Sequence, residues 1–501
     1  MRPRHKRIFW GFVAVLWAVL ALAGTEAVLR YRTGVLYARA QDYHDAFMKD
    51  YLVRWRPVIE RAQQGDPDHP LRELPPYHTF YTADAAACAA MAEQLGAAVL
   101  RCARDGAIRG VQAVAAHGYA GDWARTVTAG QTLADAMPEA QARDAKPAVR
   151  AALNGQTQWR HYPFPRPGSE EEVLDFLFVG RPAAITAPDT AVILVRPSLW
   201  KKLWARFRPN VHRRFPFELS TNRFGFRADD VAVPKPDGVV RLACVGASTT
   251  FEGPTNAWTY PNRLKAHLRE RLGTRRVEVV NCGLPAVASS GELALLDDVL
   301  ALQPDFVLHY NFINDLAYGL PDWLKPPADG WSGPGLRLAA LLRRSRLAYQ
   351  YFNQGLLPGE DELARRFDQA IFSKRREFIQ RVRAAGATPV LCEFAYPQPP
   401  ENAPLERAWF NRELEKMQFL GRFLRLRDYA RMARAYNVRL RELCLETGAL
   451  FVPVAGAFEG GLEYFNDMCH MPAPAIDRKA KVMAEALAEP VAARLRGGTD
   501  D

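Results

Sequence analysis

The sequence predicts an α/β protein in which a parallel sheet with flanking helices follows a smaller α+β domain and an N-terminal transmembrane helix. Three observations support this prediction: apolar strands alternate with helical sequence from Val239 onward, an apolar run follows a basic N-terminus, and 501 residues exceed one ordinary domain. We expect a tail and anchor at 1–30, a juxtamembrane helix and linker at 31–80, the α+β domain at 81–200 and the sheet domain at 215–495.

The N-terminal segment has the composition of a membrane anchor. Its apolar run from Ile8 to Leu29 is long enough to cross a bilayer, which needs roughly 20 residues. Four basic residues precede it and predict a cytoplasmic tail, with the rest of the chain outside the cytoplasm or in the periplasm of a Gram-negative cell: Arg2, Arg4, Lys6 and Arg7. Two alternatives stay open: the inverted topology, and a signal peptide cleaved after the small residues Ala21 and Ala23.

Charge and cysteine content exclude several classes of function. The basic residues behind the net charge of +11 are scattered over the chain, which favours a solvated or membrane-facing surface. The sequence contains no recognisable nucleic-acid-binding motif. The seven cysteines form no CxxC pair, and Cys244, Cys282 and Cys392 lie in apolar runs. We therefore expect buried thiols and no metal or cofactor. A disulfide between Cys88 and Cys102 is left open.

The predicted α+β domain follows a proline-rich linker, GDPDHPLRELPP, at residues 65–76. A hairpin turning at Asp105–Gly106 comes first, helical sequence follows, and the apolar segments VLDFLFVGRP and TAVILVRP come last as strands. This order, with the phrases RDGAIRGVQ, GQTLADAMPE and AALNGQ, resembles a PAS-like sensor; the alternative is a generic α/β accessory domain. His117 and Trp123 either line a ligand cavity or pack in the core.

The sheet domain contains five apolar segments that predict strands, with helices around Trp258–Leu272, stopped by Gly273, and around Glu292–Leu302. The predicted strands are Val239–Val245, Val277–Cys282, Phe306–Tyr310, Thr388–Phe394 and Ala449–Val454. Short buried strands separated by helices predict a parallel sheet covered on both faces. In such sheets ligands bind beyond the carboxyl ends of the strands.

Four polar blocks lie where this rule expects a site: GASTTFEG, NCGLPAVAS, YNFINDL and NDMCH. Ser248 falls on a turn between strand and helix, where its hydroxyl is exposed at the edge of the sheet. A serine needs a base to act as a nucleophile, and His470 is the candidate, with Asp467 placed to orient it. The spacing of Asp467 and His470 is weak evidence alone, because Asp66 and His69 repeat it in the linker.

The same blocks supply donors for an oxyanion, the negatively charged oxygen that develops during acyl transfer. These donors are the backbone amide of Ser248, an amide in the NCGLPA turn and the side chain of Asn314. The alternative for Asn314 is a simple turn with Asp315. Between Leu316 and Glu360, an insertion rich in aromatic residues, proline and arginine forms either a lid or a peripheral helical excursion.

Together the blocks resemble the SGNH (GDSL-type) esterase superfamily over residues 221–490. The resemblance implies a flavodoxin-like SGNH hydrolase domain with Ser248 as nucleophile, His470 as general base and Asp467 as its orienting partner. It also implies oxyanion donors from Ser248, Ala286 and Asn314.

This sequence departs from the family pattern at three positions. Ala247 replaces the aspartate of GDS, Ala286 replaces the second glycine of NxGxxG, and Phe312 replaces the glycine of GxND, whereas Gly283 matches. The three departures leave the serine, histidine and aspartate in place and alter the surroundings of the oxyanion donors.

Taken with the N-terminal segment, the resemblance predicts a membrane-anchored, extracytoplasmic serine esterase that hydrolyses or transfers O-acyl groups, with a cell-surface glycan as one candidate substrate. The alternative is a non-catalytic envelope protein in which the altered turns leave only ligand binding and the PAS-like domain senses.

Overall fold

The computed structural model describes residues 3–64, 89, 92–93, 97–112, 119–153, 159–164, 172–179, 190–202, 206–210, 212–213, 219–319, 345–348, 360–416 and 425–497. The predicted linker, Cys88, His117 and most of the insertion lie outside these residues.

The chain begins with a long helix, α1 (Pro3–Arg54), followed by the short α2 (Arg56–Gln64). The apolar part of α1 is exposed, and within the described residues it is the one helix long and apolar enough to cross a membrane. The same helix continues onto the protein, where Ala40 and Tyr51 are buried. One unbroken helix therefore joins the predicted span to the C-terminal domain.

The first domain contains a five-stranded antiparallel sheet in the order β2-β1-β5-β4-β3. Its strands are β1 (Ala98–Ala103), β2 (Ile108–Gln112), β3 (Trp159–Phe164), β4 (Glu172–Val179) and β5 (Thr190–Pro197), and its helices are α3 (Tyr119–Thr126) and α4 (Glu139–Leu153). The chain turns between β1 and β2 at Gly106, whose φ of +91° suits the predicted hairpin turn. Trp123 packs against Phe176 in the core. The element order is the predicted one, and assignment as a PAS-like domain stays a prediction.

Four short strands connect the two domains in two hairpins. They are β6 (Trp200–Lys202) paired with β7 (Arg206–Phe207), and β8 (His212–Arg213) paired with β9 (Leu219–Ser220).

The second domain is an α/β unit with a five-stranded parallel sheet, which confirms the predicted fold class. The strands are β10 (Val240–Gly246), β11 (Val277–Asn281), β12 (Phe306–Tyr310), β13 (Thr388–Cys392) and β14 (Leu450–Val452). They are ordered β11-β10-β12-β13-β14, so the first strand in the chain lies between the second and third. This is the flavodoxin-like order, which places a site where the direction of winding reverses at the end of β10.

Helices cover both faces of this sheet. They are α5 (Ser248–Phe251), α6 (Tyr260–Leu272), α7 (Ser289–Leu300), α8 (Glu360–Phe367), α9 (Ser373–Ala384), α10 (Pro404–Lys416), α11 (Leu426–Thr447) and α12 (Ala473–Gly497). Short π-helical turns at Asp315–Gly319 and Asp368–Phe372 and 3-10 turns at Asn256–Trp258 and Ala455–Ala457 complete the set. α6 packs against α12 and α7 against α9, and right-handed crossovers place these pairs on opposite faces.

Two glycines at the carboxyl edge let the loops that follow the strands approach closely. A Cβ atom on Gly246 would lie 2.3 Å from the Tyr310 carbonyl oxygen, and one on Gly283 would lie 2.7 Å from the Phe251 amide nitrogen. A side chain at either position would force adjacent backbone segments apart. Only glycine permits this spacing between β10 and the segments beside it.

We predict that Gly246→Ala destabilises the folded protein by about 3 kcal/mol, because the added methyl group overlaps a backbone carbonyl that cannot move alone. Its melting temperature in detergent should fall by roughly 6 °C or more. Gly456→Ala is the matched control, since no atom lies within 4 Å of the position that its Cβ would occupy. Equal melting temperatures for the two variants would contradict the packing argument.

Candidate active site

The carboxyl ends of β10, β11 and β12 bring three of the sequence blocks to one edge of the sheet. Ser248 is the first residue of α5, directly after β10. Ala286 lies on the turn after β11, and Asn314 lies just beyond the end of β12. The fourth block comes from the loop between β14 and α12. The fold therefore gathers residues more than two hundred positions apart.

Ser248, His470 and Asp467 form a continuous hydrogen-bonded row. The Ser248 Oγ lies 2.9 Å from the His470 Nε2, and the His470 Nδ1 lies 2.7 Å from the Asp467 Oδ2. With the Nδ1 proton directed to the carboxylate, the Nε2 lone pair faces the serine hydroxyl. This arrangement can remove the proton from Ser248 as its oxygen attacks an electrophile.

The loop itself fixes the orientation of Asp467. Its Oδ1 accepts hydrogen bonds from the backbone amides of Cys469 and His470, both at 2.8 Å. The other carboxylate oxygen is thereby left to the imidazole. The three-residue spacing acts as a local turn in which one carboxylate both closes the loop and contacts the side chain at its end.

Electrostatics favours a charged pair within this loop. Burial acts to raise the pKa of Asp467, but the charge of His470 and its hydrogen bonds outweigh burial and lower the pKa to about 2. Burial likewise acts to lower the pKa of His470, but the Asp467 carboxylate outweighs it and raises the pKa well above the ordinary 6.5. Asp467 is thus ionised at neutral pH and stabilises the imidazolium that forms when His470 takes a proton.

Cys469 lies against the same imidazole, with its Sγ 3.6 Å from the His470 Nδ1. Burial raises the pKa of this thiol to about 12, so it stays neutral beside the imidazole. Asp467, Cys469 and His470 are also the group in the described part of the chain whose donor atoms are close enough together to hold a metal ion. Because two of these donors already hydrogen-bond to each other, the geometry suits proton transfer.

The predicted oxyanion donors Ala286 and Asn314 lie on loops at the same edge of the sheet as Ser248. Asn314 is buried, and its Nδ2 has no hydrogen-bond partner among the described residues. A buried amide donor left unpaired is costly, and such groups recur at functional sites. Ala286 has a φ of +63° and follows Pro285, so the turn adopts the left-handed backbone that glycine prefers. The turn accepts the methyl group at the position where the family pattern has glycine.

Phe312, the third departure from the family pattern, is fully buried in an aromatic cluster. Its ring centroid lies 4.6 Å from that of Tyr436 and 5.6 Å from that of Phe394. The larger side chain therefore fills core space below the loop that carries Asn314.

A buried ion pair that the sequence does not reveal joins the serine to the histidine loop. Glu252, just after α5, accepts a hydrogen bond from the backbone amide of Met471 at 2.9 Å and another from the Lys479 Nζ at 2.8 Å. Lys479 also donates to the Thr249 carbonyl and is fully buried. The pair fixes α5 relative to the residue next to His470. The pattern gave no signal for it, because a lysine in a helix usually faces solvent.

Comparison with known proteins gives matches among solved structures. One is an alpha/beta hydrolase enzyme from the metagenome of Lake Arreo, Spain, at 22% identity, covering 50% of this chain and 95% of that chain with a TM-score of 0.30. Another is an acetylxylan esterase from Geobacillus stearothermophilus, at 17% identity, covering 50% of this chain and 94% of that chain with a TM-score of 0.29. No family model and no curated protein matches the chain.

We predict that Ala286→Gly keeps or raises stability, unlike most alanine-to-glycine changes. Relief of the left-handed conformation contributes about 1–2 kcal/mol, and the flexibility of glycine costs about 0.5–1 kcal/mol. The melting temperature should stay equal or rise. Ala301→Gly is the control, because Ala301 has a right-handed φ of −60°. Glycine relieves no strain there, so this variant should have a lower melting temperature. A fall of the same size in both variants would contradict a strained turn at Ala286.

Proposed function

We propose that this chain is an SGNH-type serine esterase that cleaves O-acyl esters through an acyl-enzyme intermediate. The observation that carries the proposal is the row of two hydrogen bonds from Ser248 through His470 to Asp467, 2.9 Å and 2.7 Å long. A nucleophile in contact with a base, which is itself oriented by a third group, is the arrangement that acyl transfer requires.

The reaction has two steps. In the first, the Ser248 Oγ attacks the ester carbonyl while His470 Nε2 takes the hydroxyl proton. The tetrahedral intermediate then expels the alcohol, which receives that proton from His470. In the second step, water loses a proton to His470 and attacks the acyl-serine. The acid is released and Ser248 regains its proton.

Negative charge on the former carbonyl oxygen needs donors that are already in position. The Asn314 Nδ2 is the strongest candidate, since it is buried and unpaired among the described residues. The backbone amides of Ser248 and Ala286 complete the proposed set. Removing one such donor typically costs on the order of a hundredfold or more in rate.

The proposed location is a membrane, with the catalytic domain on the extracytoplasmic side. The exposed apolar part of α1 and the basic residues before it support this topology. The helix is unbroken through Ala21 and Ala23, which favours an anchor over a cleaved signal peptide. An acyl group on a cell-surface glycan is the proposed substrate class, and a sugar hydroxyl in place of water would make the same site an acyltransferase.

We predict that Ser248→Ala abolishes turnover of a short-chain chromogenic ester by the full chain in detergent, by at least about 10³-fold. The variant should also lose labelling by a fluorophosphonate probe, with the labelled peptide of the unmodified protein containing residue 248. Ser290→Ala, at an exposed serine in α7, should keep both properties. Retained turnover in Ser248→Ala, or an unlabelled wild-type protein that only binds ligand, would favour the non-catalytic alternative.

We predict that kcat/KM rises with pH with a midpoint above 6.5. The neutral form of His470 is the active base, and the Asp467 carboxylate raises the pKa at which the imidazole loses its proton. Asp467→Asn removes this charge, so the midpoint of the labelling rate should move to lower pH.

The control for this pH profile is Asp477→Asn, because Asp477 pairs with His267 at 2.8 Å on the α6–α12 face. That variant should leave the midpoint unchanged. A wild-type midpoint at or below 6.5 would contradict the proposed coupling between Asp467 and His470.

A further inference from the structure

A fully buried ionic cluster lies behind the oxyanion donors and takes no part in the mechanism above. Arg375 on α9 donates to the Glu292 Oε2 at 2.9 Å and to the Asp315 Oδ2 at 2.7 Å. The Glu292 Oε2 also contacts the His309 Nε2 at 2.9 Å. All four side chains are at most 1% exposed. We call Glu292, His309, Asp315 and Arg375 the buried ionic cluster.

Asp315 links the segment that carries Asn314 to the segment that follows Ala286. Its Oδ1 accepts hydrogen bonds from the Ser289 amide at 2.8 Å and from the Ser289 Oγ at 2.5 Å. Ser289 begins α7, three residues after Ala286, and Asp315 directly follows Asn314. One carboxylate thus connects the two separate segments that supply oxyanion donors.

A second connection runs through Asn311. Its Nδ2 donates to the Glu292 Oε1 at 2.7 Å and to the Val287 carbonyl oxygen at 3.1 Å. Val287 is the neighbour of Ala286, and Asn311 lies three residues before Asn314. The turn of Ala286 is therefore held from both sides, and both supports end at Arg375 through Glu292 or Asp315.

Stability alone is a weak reason for such a cluster. Removing several charges from water costs several kcal/mol, and well-packed apolar residues often stabilise a core as well or better. The planar guanidinium, by contrast, fixes position, because its two terminal nitrogens hold two different carboxylates at set distances and angles. Oxyanion donors act only when they lie close to the position of the developing charge.

We infer that the buried ionic cluster positions the oxyanion donors, with Asp315 and Arg375 acting as positioning residues through Asn314 and the Ala286 turn. This inference rests on the proposed function. A positioning residue changes the transition state more than the bound substrate, so its loss should lower kcat and leave KM nearly unchanged.

The test is a double-mutant cycle in the full chain. Asp315→Asn keeps an acceptor for Ser289 and removes the charge that faces Arg375, and we expect kcat to fall about tenfold or more with KM within twofold. Asn314→Ala removes the donor itself and should cost about 10² to 10³ in kcat. In the double variant, Asp315→Asn should add little to the loss from Asn314→Ala, because it acts through the donor that is already gone.

Asp297→Asn is the matched control. Asp297 on α7 pairs with Arg381 on α9 at 2.6 Å, between the helices that carry Glu292 and Arg375, but Asp297 is exposed. It should leave kcat unchanged. Full additivity in the cycle, or an unchanged kcat for folded Asp315→Asn, would overturn the inference. If Asp315→Asn does not fold, Arg375→Lys replaces it in the same cycle with the same expected and contradicting outcomes, because lysine keeps the charge and loses the planar fork that bridges Glu292 and Asp315.

A second measurement separates this inference from the proposed function. Hydrogen exchange should speed up in the peptides covering 285–289 and 311–316 in Asp315→Asn, and not in Asp297→Asn, whether or not the protein turns over an ester. Loss of activity on Ser248→Ala tests the function, whereas unchanged exchange in both peptides would overturn the positioning role alone.

Discussion

The central position of β10 between β11 and β12 is the constraint on which the site depends. Because the strands are parallel and in register, with Cys244 beside both Asn281 and Leu308, their carboxyl ends open onto the same edge. The serine turn, the Ala286 turn and the Asn314 segment therefore meet without any one loop having to be long. His470 and Asp467 can then both be supplied by the single loop that follows the last strand.

Loops at the end of a sheet leave backbone groups without partners, and in this protein buried charges satisfy many of them. Glu252 accepts from the Met471 amide, Lys479 donates to the Thr249 carbonyl, and Asp315 accepts from the Ser289 amide. Buried backbone groups require such partners, and an ion pair behind the side chain keeps it from turning toward solvent. The edge of the sheet thereby becomes rigid where regular secondary structure has ended.

The sequence predicted what periodicity and local turns encode, and it missed what depends on neighbours in space. All five strands of the sheet were found within a few residues, because short apolar runs between helices are distinctive. Strand order was beyond reach from the residues themselves, since periodicity does not identify the adjacent strand. Arg375 in the segment SKRREF resembles a solvated helical face, and only the fold shows that it is buried. Asp467 and His470 could be predicted as site residues only from their position after the last strand, because their spacing alone is not specific.

Glu26 marks where the proposed membrane span must end. Its carboxylate accepts hydrogen bonds from the Ser345 hydroxyl and the amides of Arg346 and Leu347. A carboxylate is costly inside hydrocarbon, and these donors belong to the C-terminal domain, so both sides of the contact belong at the water interface. The 18 residues from Ile8 to Thr25 then span about 27 Å, close to the roughly 30 Å of a bilayer core. Within the proposed topology, the catalytic domain is held directly at the membrane surface, because α1 reaches it without a break.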